Sequence, residues 1–277
     1  MMKFGLFGHP VRHSLSPVMH TASFRALGLD AAYRCFDVAP EDLAAALDAR
    51  RAEGYLGLNL TVPHKVAVLP LIDRLDASAR LFGAVNTVRF EADGTTTGFN
   101  TDAAGFLQDL EVCAGLAPEG RRVMVVGCGG AGRAIAIGCA AAGAASLALV
   151  NRTFARARSV ADEIRSKCPA VRVDALPLDG LSPEETKSCD VIVQCTTAGL
   201  HPDDAPALPS SAFREGQVLY DIVYTSPATP TMAAALDAGA KAFNGLGMLA
   251  RQGAASFKIW TGREADIGAM LAALARR

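Results

Sequence analysis

Short runs of apolar residues alternate along the chain with stretches in which apolar residues recur at helical spacing. In the first hundred residues this pattern predicts strands at Phe4–Phe7, Tyr33–Val38 and Leu56–Val62, and helices at Pro17–Ala26 and Glu41–Glu53. Strands that alternate with helices indicate α/β layers around a largely parallel sheet. Ser16 directly precedes Pro17, and this order predicts that Ser16 is the N-cap of the first helix.

A second α/β region follows the glycine- and proline-containing stretch 115–120. Arg122–Val126 is almost wholly apolar, as expected of a parallel strand buried on both faces. The same pattern predicts the following further segments: strands at 147–150, 190–195 and 218–222, a helix at Phe154–Lys167, and helical structure over 248–277.

Composition narrows the class of protein. A length of 277 residues favours two domains, and 27 basic against 28 acidic residues without a basic block argue against nucleic-acid binding. The N-terminus lacks the apolar core of a signal peptide, and the apolar run 134–149 is too rich in Ala and Gly for a membrane span. Seven scattered cysteines without a CxxC pair indicate free thiols, and five dispersed histidines give no metal-ligand cluster. We therefore expect a cytoplasmic protein, without metal, membrane or nucleic-acid partners.

Three glycines follow the predicted strand Arg122–Val126 at the spacing of a dinucleotide-binding turn. Gly127 permits a tight turn, Gly129 lets the backbone approach a pyrophosphate, and Gly132 lets the following helix sit close to the strand. The N-terminus of that helix offers free N–H groups to phosphates. The alternative is a tight strand-to-helix turn that binds nothing.

The end of the next predicted strand indicates which nucleotide would bind. NAD-binding versions of this fold usually place a carboxylate there, whereas this chain has Asn151, Arg152 and Thr153, followed by Arg156 and Arg158. A guanidinium group can hold a ribose 2′-phosphate through paired hydrogen bonds. NADP is therefore favoured, although these arginines could also be the solvated start of a helix, an alternative that suits Arg158 better than Arg152.

Polar residues interrupt the apolar segments of the N-terminal half. Asn59 and Thr61 share one face of a predicted strand, Lys65 follows it, and Asn86 and Asp102 lie at the ends of other apolar runs. Strand ends of an open α/β sheet are where ligands bind, and these groups suit a polyhydroxylated substrate. Each also has a purely structural explanation: a buried amide for Asn59 and Asn86, a surface lysine for Lys65, and a helix N-cap for Asp102.

Several ordered motifs resemble those of the shikimate dehydrogenase family, and the resemblance covers essentially the whole chain. The matching segments are Ser14-Leu15-Ser16-Pro17, Asn59 to Lys65, Gly83 to Thr87, Gly98 to Asp102, Gly127 to Ala134, Asn151-Arg152-Thr153, Tyr220 to Tyr224 and Gly245 to Gly253. Gln194 to Gly199 departs from the Asn-Ala-Thr-Ser-x-Gly usual beside the cofactor, and His64 differs from the commoner residue before Lys65 and is expected to point away from it.

The resemblance implies a role for each matching residue. Lys65 and Asp102 would be the catalytic pair, and Ser14 and Ser16 would bind a substrate carboxylate. The other substrate-binding residues would be Asn59, Thr61, Asn86, Tyr224 and Gln252. The cofactor-binding residues would be Gly127, Gly129, Gly130, Ala131, Asn151, Arg152, Thr153, Arg156, Thr196, Ile222, Gly245 and Met248.

The resemblance also implies the fold and the activity. A discontinuous α/β substrate domain, residues 1–102 and 240–277, would accompany an NADP-binding Rossmann domain at 103–239. The implied reaction is the reversible reduction of 3-dehydroshikimate to shikimate with NADPH, by a monomer or homodimer. Two alternatives stay open: a quinate/shikimate dehydrogenase with broader substrate or cofactor use, and an NADP-binding regulatory protein without catalysis.

Overall fold

Two six-stranded sheets organise the chain, and the first is mixed rather than parallel. Its order is β2-β1-β3-β5-β6-β4. The strands of this sheet are β1 Met2–Gly8, β2 Ala31–Asp37, β3 Gly57–Leu60, β4 Arg74–Leu75, β5 Thr87–Phe90 and β6 Thr96–Phe99. β1 runs parallel to β2 and β3, whereas β5 is antiparallel to β3 and β6. The expectation of a largely parallel sheet is confirmed for five of the six strands, and β5 alone runs the other way because a tight turn, with Gly94 at φ +84°, joins β5 to β6 as a hairpin.

The second sheet is wholly parallel, with the order β12-β11-β10-β7-β8-β9. Its strands are β7 Arg122–Val126, β8 Ser146–Asn151, β9 Arg172–Pro177, β10 Val191–Gln194, β11 Val218–Asp221 and β12 Lys241–Asn244. This is the doubly wound order of a Rossmann fold, in which successive strands are added outward from β7 on one side and outward from β10 on the other, so that the strand order reverses between them. The predicted α/β class with a Rossmann domain is confirmed.

Eleven α-helices occur in the described part of the chain. They are α1 Ser16–Ala26, α2 Leu43–Ala52, α3 His64–Ala67, α4 Ala77–Phe82, α5 Asp102–Ala114, α6 Gly130–Ala141, α7 Phe154–Lys167, α8 Pro183–Lys187, α9 Pro230–Asp237, α10 Leu246–Thr261 and α11 Ile267–Leu274. The prediction that Ser16 caps α1 is wrong: Ser16 is the first helical residue, and Leu15 occupies the N-cap position without a side-chain hydrogen bond.

The structure, a computed structural model, describes residues 1–201 and 203–276 and separates into two units. The first unit is Met1–Gly105 with Ala250–Arg277, and the second is Phe106–Leu249. The predicted limits differ most at the C-terminal side, where residues 240–249 were expected in the substrate domain. They lie in the second unit because β12 pairs with β11 in the parallel sheet.

Aromatic packing fixes α1 and α10 on the first sheet. Phe4 of β1 stacks on Phe24 and on Trp260, with ring centroids 5.5 and 5.0 Å apart. The Trp260 indole donates a hydrogen bond to the Val88 carbonyl at 2.9 Å. A β-carbon at Gly57 would lie 2.1 Å from the indole nitrogen, so only glycine allows α10 this close to β3.

The described residues contain neither a membrane-spanning helix nor a metal-binding cluster, and the cysteines form no disulfide. None of the helices in the described residues has the length and apolar character needed to cross a bilayer. Within residues 1–201 and 203–276, no group of three His, Cys, Asp or Glu side chains is placed to hold a metal ion. The seven cysteines are all free.

A buried histidine lies in the same aromatic layer. The ring of His20 on α1 is fully buried and stacks on Tyr33, with centroids 4.4 Å apart and planes at 9°. Burial disfavours the charged imidazolium and lowers the pKa of His20 to about 3. The folded protein therefore keeps this ring neutral at pH values at which an unfolded chain protonates it.

His20→Phe should flatten the dependence of stability on pH. Above pH ~6.5, His20 is neutral in both states; below it, the unfolded state binds the proton first, so His20 removes about 2 kcal/mol of unfolding free energy between pH ~7 and ~5. Urea unfolding at several pH values measures this slope. His13→Phe, at an exposed position, should leave the wild-type slope. An equal slope in the His20 variant would contradict the prediction.

Candidate functional site

Lys65 and Asp102 form an ion pair in the first unit. Lys65 lies on the short helix α3 and Asp102 begins α5, and the Lys65 Nζ donates to Asp102 Oδ2 at 2.7 Å. The side chains are 22% and 9% exposed, so few water molecules compete with the contact. His64 turns away from this pair and donates from Nε2 to the Val38 carbonyl at 2.8 Å.

Asn86 fixes the other oxygen of the Asp102 carboxylate. Its Nδ2 donates to Asp102 Oδ1 and to the Thr101 hydroxyl, both at 2.9 Å. Its Oδ1 accepts the Thr101 backbone N–H at 2.9 Å. Both carboxylate oxygens of Asp102 therefore have donors, and the group is held in a single orientation beside Lys65.

Asn59 is held in the same way at the end of β3. The Tyr33 hydroxyl donates to Asn59 Oδ1 at 2.7 Å. Asn59 Nδ2 donates to Ser256 Oγ at 3.0 Å and to the Asn86 carbonyl at 3.1 Å. Ser256 Oγ also lies 2.7 Å from the hydroxyl of Thr87, so α10 joins the two strands through one buried hydroxyl.

The two serines of the N-terminal motif are adjacent at the start of α1. The Ser14 hydroxyl accepts the Ser16 backbone N–H and donates to Ser16 Oγ, both at 3.2 Å. Burial raises the pKa of Tyr33, and a hydrogen bond with Ser16 opposes the shift.

Thr61 and Gln252 complete the predicted set in the first unit. Thr61 directly follows β3, and its backbone N–H bonds the Phe7 carbonyl of β1 at 2.9 Å. Gln252 Oε1 lies 3.5 Å from Asn86 Nδ2. A β-carbon at Gly105 would lie 2.7 Å from the backbone nitrogen of Gln252, so glycine on α5 allows α10 to bring Gln252 this close. The Asn86 amide thus lies beside the ion pair, with the Thr101 hydroxyl and the Gln252 amide next to it, and such donors and acceptors suit a polyhydroxylated molecule.

The glycine turn between β7 and α6 meets two different needs. Gly127 has φ +102°, and a β-carbon at Gly132 would lie 1.8 Å from the Gly127 carbonyl oxygen. Folding alone therefore requires glycine at both positions. A β-carbon at Gly129 or Gly130 would meet no atom within 4 Å. These two positions leave space for something outside the protein to approach the backbone.

A cavity of about 640 Å³ opens at this turn, within the second unit. Seven of the predicted cofactor residues line it: Gly127, Gly129, Asn151, Arg152, Thr153, Arg156 and Thr196. Gly130 and Ala131 form the first turn of α6, whose N-terminus has no side-chain cap. Its amide groups are therefore available to an anion.

Asn151 connects the glycine turn to the end of β8. Its Oδ1 accepts the Cys128 backbone N–H at 2.9 Å, and its Nδ2 donates to the Thr153 carbonyl at 3.0 Å. Arg152 and Arg156 are exposed and make no ion pair with any residue that the structure describes. Two uncompensated guanidinium groups therefore border the cavity, beside the position where NAD-binding proteins carry an acid.

The remaining predicted residues follow β11 or lie at the start of α10. A β-carbon at Gly245 would lie 2.2 Å from the Ile222 carbonyl oxygen, so these two segments are in direct contact. Met248 lies in the first turn of α10 and is buried. Tyr224 is partly buried in the second unit, where burial raises its pKa.

Three segments of the chain match known domain families. Residues 6–88 match the shikimate dehydrogenase substrate binding domain, residues 114–224 match shikimate / quinate 5-dehydrogenase, and residues 245–275 match the shikimate 5'-dehydrogenase C-terminal domain. A shikimate dehydrogenase (NADP(+)) of Citrifermentans bemidjiense is 45% identical over 274 residues, which cover 99% of this chain and 94% of that protein. The chain belongs to the shikimate dehydrogenase family.

Solved structures of relatives agree with this family. Shikimate 5-dehydrogenase from Thermus thermophilus, in complex with NADP(H) and shikimate, is 38% identical with a TM-score of 0.88, covering 100% of this chain and 99% of that chain. Quinate dehydrogenase from Corynebacterium glutamicum in complex with NAD is 32% identical with a TM-score of 0.92, at the same coverage. The similar solved structures thus include a quinate dehydrogenase in complex with NAD as well as a shikimate dehydrogenase in complex with NADP(H).

Sequence reasoning missed several residues of the site. Tyr33 and Ser256 hold Asn59 but lie far from it in the chain, on β2 and α10. Gln194 was noted only as a departure from the family, although it is fully buried and hydrogen-bonded to the Ala198 carbonyl at 2.9 Å. A buried polar residue in an apolar segment was the available signal, but it does not identify the partner.

Tyr33→Phe should destabilise the protein by about 1–3 kcal/mol, because Asn59 Oδ1 loses the donor that satisfies it inside the protein. Urea unfolding measures the change. Tyr55→Phe is the matched control: Tyr33 and Tyr55 are 7% and 6% exposed, and the Tyr55 hydroxyl bonds no described residue. The control should cost less than ~0.5 kcal/mol. Equal losses of unfolding free energy in the two variants would contradict the prediction, because the hydrogen bond from Tyr33 to Asn59 would then add nothing to the stability of the protein.

Proposed function

We propose that the protein catalyses the reversible NADPH-dependent reduction of 3-dehydroshikimate to shikimate, a step of chorismate and aromatic amino-acid biosynthesis. The observation that carries the proposal is the Lys65–Asp102 ion pair, 2.7 Å long and surrounded by hydroxyl and amide groups. A protein that only binds a ring acid has no need of a paired ammonium and carboxylate in that place.

In the proposed reaction, Lys65 and Asp102 handle the proton. When bound, NADPH would supply a hydride to the ketone carbon, and the oxygen on that carbon would then need a proton. The Lys65 ammonium donates this proton, and in the reverse direction the neutral amine takes it back. Asp102 orients the ammonium and accepts a hydrogen bond from a ring hydroxyl, while Asn86 keeps the carboxylate from rotating.

Substrate recognition is assigned to the polar groups around this pair. The hydroxyls of Ser14 and Ser16 are adjacent and can both donate to a carboxylate. Ring hydroxyls are assigned to the remaining predicted residues: Asn59, Thr61, Asn86, Tyr224 and Gln252. Asn59 and Asn86 are held by protein partners, so little side-chain entropy is lost when substrate binds.

NADP fits the second unit through three features. The amide groups at the N-terminus of α6 and the open space at Gly129 suit a pyrophosphate. Arg152 and Arg156, with the Thr153 hydroxyl, suit a 2′-phosphate. Ile222, Gly245 and Met248 are assigned to the nicotinamide end.

The proposal extends to the setting in which the protein acts. We place it in the cytoplasm, where its seven free cysteines would stay reduced. The proposed partner is a small-molecule substrate, and the proposed assembly is a monomer or homodimer.

A quinate/shikimate dehydrogenase is the second candidate. It is supported by the family description over residues 114–224, which includes quinate, and by the quinate dehydrogenase relative. The two unpaired arginines at the cavity favour NADP and thus the first candidate.

Turnover with four pairs of substrate and cofactor distinguishes the candidates. We expect fast loss of NADPH absorbance with 3-dehydroshikimate and rates at least ~tenfold lower with 3-dehydroquinate. Rates with NADH should also be at least ~tenfold lower, because NADH lacks the 2′-phosphate that the guanidinium groups of Arg152 and Arg156 would bind. Comparable rates with NADH or 3-dehydroquinate would place the protein with the quinate/shikimate enzymes. Binding of NADPH without turnover of either substrate would support a non-catalytic protein.

Lys65→Ala should lower kcat by about 10²- to 10⁴-fold, because the developing alkoxide loses its proton donor. Shikimate affinity, measured by calorimetry, should change by less than about fivefold. Lys3→Ala is the control: Lys3 is in the same unit, and its side chain bonds only the Glu53 carbonyl among the described residues. A near-wild-type kcat in the Lys65 variant would remove this residue from proton transfer.

A further inference from the structure

The turn that follows β10 is held by one buried side chain. Gln194 ends β10 and is fully buried. Its Oε1 accepts the backbone N–H of Thr196, and its Nε2 donates to the Ala198 carbonyl at 2.9 Å. The amide thus bonds both arms of the turn, which a backbone hydrogen bond would do in a regular turn.

This turn forms a wall of the proposed cofactor cavity. Thr196, Thr197 and Ala198 all line it. The wall packs tightly against the dinucleotide turn, because a β-carbon at Gly127 would lie 2.9 Å from Thr196 Cγ2 and 2.8 Å from the Cys195 carbonyl carbon. A shift of Thr196 therefore changes the space beside the phosphate-binding backbone.

Asp221 anchors the Gln194 amide to the neighbouring strand. This buried carboxylate lies 3.3 Å from Gln194 Nε2 and accepts the Thr229 hydroxyl at 2.6 Å and the Val223 backbone N–H at 3.0 Å. Gln194 and Asp221 are register partners on β10 and β11. The Gln194 side chain is therefore held by Asp221 of β11, which is held in turn by Thr229, the N-cap of α9. Because the same amide bonds Thr196 and Ala198, its position sets the position of the turn.

We propose that Gln194 is a positioning residue that sets the affinity for NADPH by holding the turn Cys195–Gly199 against Gly127. The inference rests on the proposed function, since it takes NADPH as the occupant of the cavity. Gln194→Asn separates the two hydrogen bonds of the amide. Asn is one methylene shorter, so it can accept the Thr196 N–H as an Asx turn but should not reach the Ala198 carbonyl.

Three single variants of the full-length chain test the proposal. Gln194→Met keeps the side-chain volume and removes every hydrogen bond of the side chain, whereas Gln194→Asn keeps the bond to the Thr196 backbone N–H. Gln217→Met is the matched control, because Gln217 is another fully buried glutamine of the same unit. Its Nε2 bonds the carbonyls of Thr186 and Cys189 at 2.8 and 2.9 Å, away from the cavity.

The readout is the Kd for NADPH, from quenching or enhancement of nucleotide fluorescence, together with steady-state kinetics. We expect Kd and KM for NADPH to rise about tenfold in Gln194→Met and about threefold in Gln194→Asn, with kcat within about threefold of wild type. The Kd for shikimate should stay constant in all variants. Gln217→Met should lower Tm as much as Gln194→Met does, while its NADPH affinity stays within about twofold.

Each other outcome is decisive. Unchanged NADPH affinity in both Gln194 variants would overturn the proposal, because the Gln194 amide would then have no effect on binding. An equal loss of NADPH affinity in Gln217→Met would also overturn it, because the loss would then follow from reduced stability in general. If Gln194→Met does not fold, Gln194→Asn decides by the same criterion. A wild-type protein that does not bind NADPH would overturn the proposed function itself, and this result comes from the wild-type titration alone.

Discussion

The side-chain amide of Asn86 bonds Thr101 and Asp102 where almost no water can reach them. Polar groups in such a place are costly unless each finds a partner, so the strand ends around Asn86 can take few other positions. Asn59 extends the same constraint towards β2 and α10 through Tyr33 and Ser256. The proposed catalytic ion pair is thus oriented by the interactions that stabilise the fold around it.

The second unit combines close backbone packing with buried polar contacts. Gly127 and Gly132 allow β7, α6 and the turn after β10 to meet at distances that any side chain would prevent. Gln194 and Asp221 then hold the turn after β10, which forms the wall of the cavity next to Gly127. Both units therefore hold their polar groups in place by the same two means, which are buried hydrogen bonds and close contacts that only glycine permits.

Local patterns predicted local structure well. Arg122–Val126 and Phe154–Lys167 have the predicted limits, because continuous burial and helical periodicity are written in neighbouring residues. The antiparallel hairpin of β5 and β6 was missed despite its Asp-Gly turn, and β9, α9 and β12 were missed because they are short and weakly patterned. Residues that ligate or react could be proposed from motifs. Ser256 could not, because its partner Asn59 is 197 positions away and only the folded chain brings them together.

The four glycines of the dinucleotide turn are under two kinds of selection. Replacement of Gly127 or Gly132 would disturb the backbone itself, so any selection for a folded, protease-resistant protein retains them. Gly129 and Gly130 face open space, and a methyl group there would cost the unliganded protein little. Under selection for abundance or thermostability alone, these two positions would be free to drift, and a library screened only for folding would lose the proposed nucleotide site without any change in its melting curves.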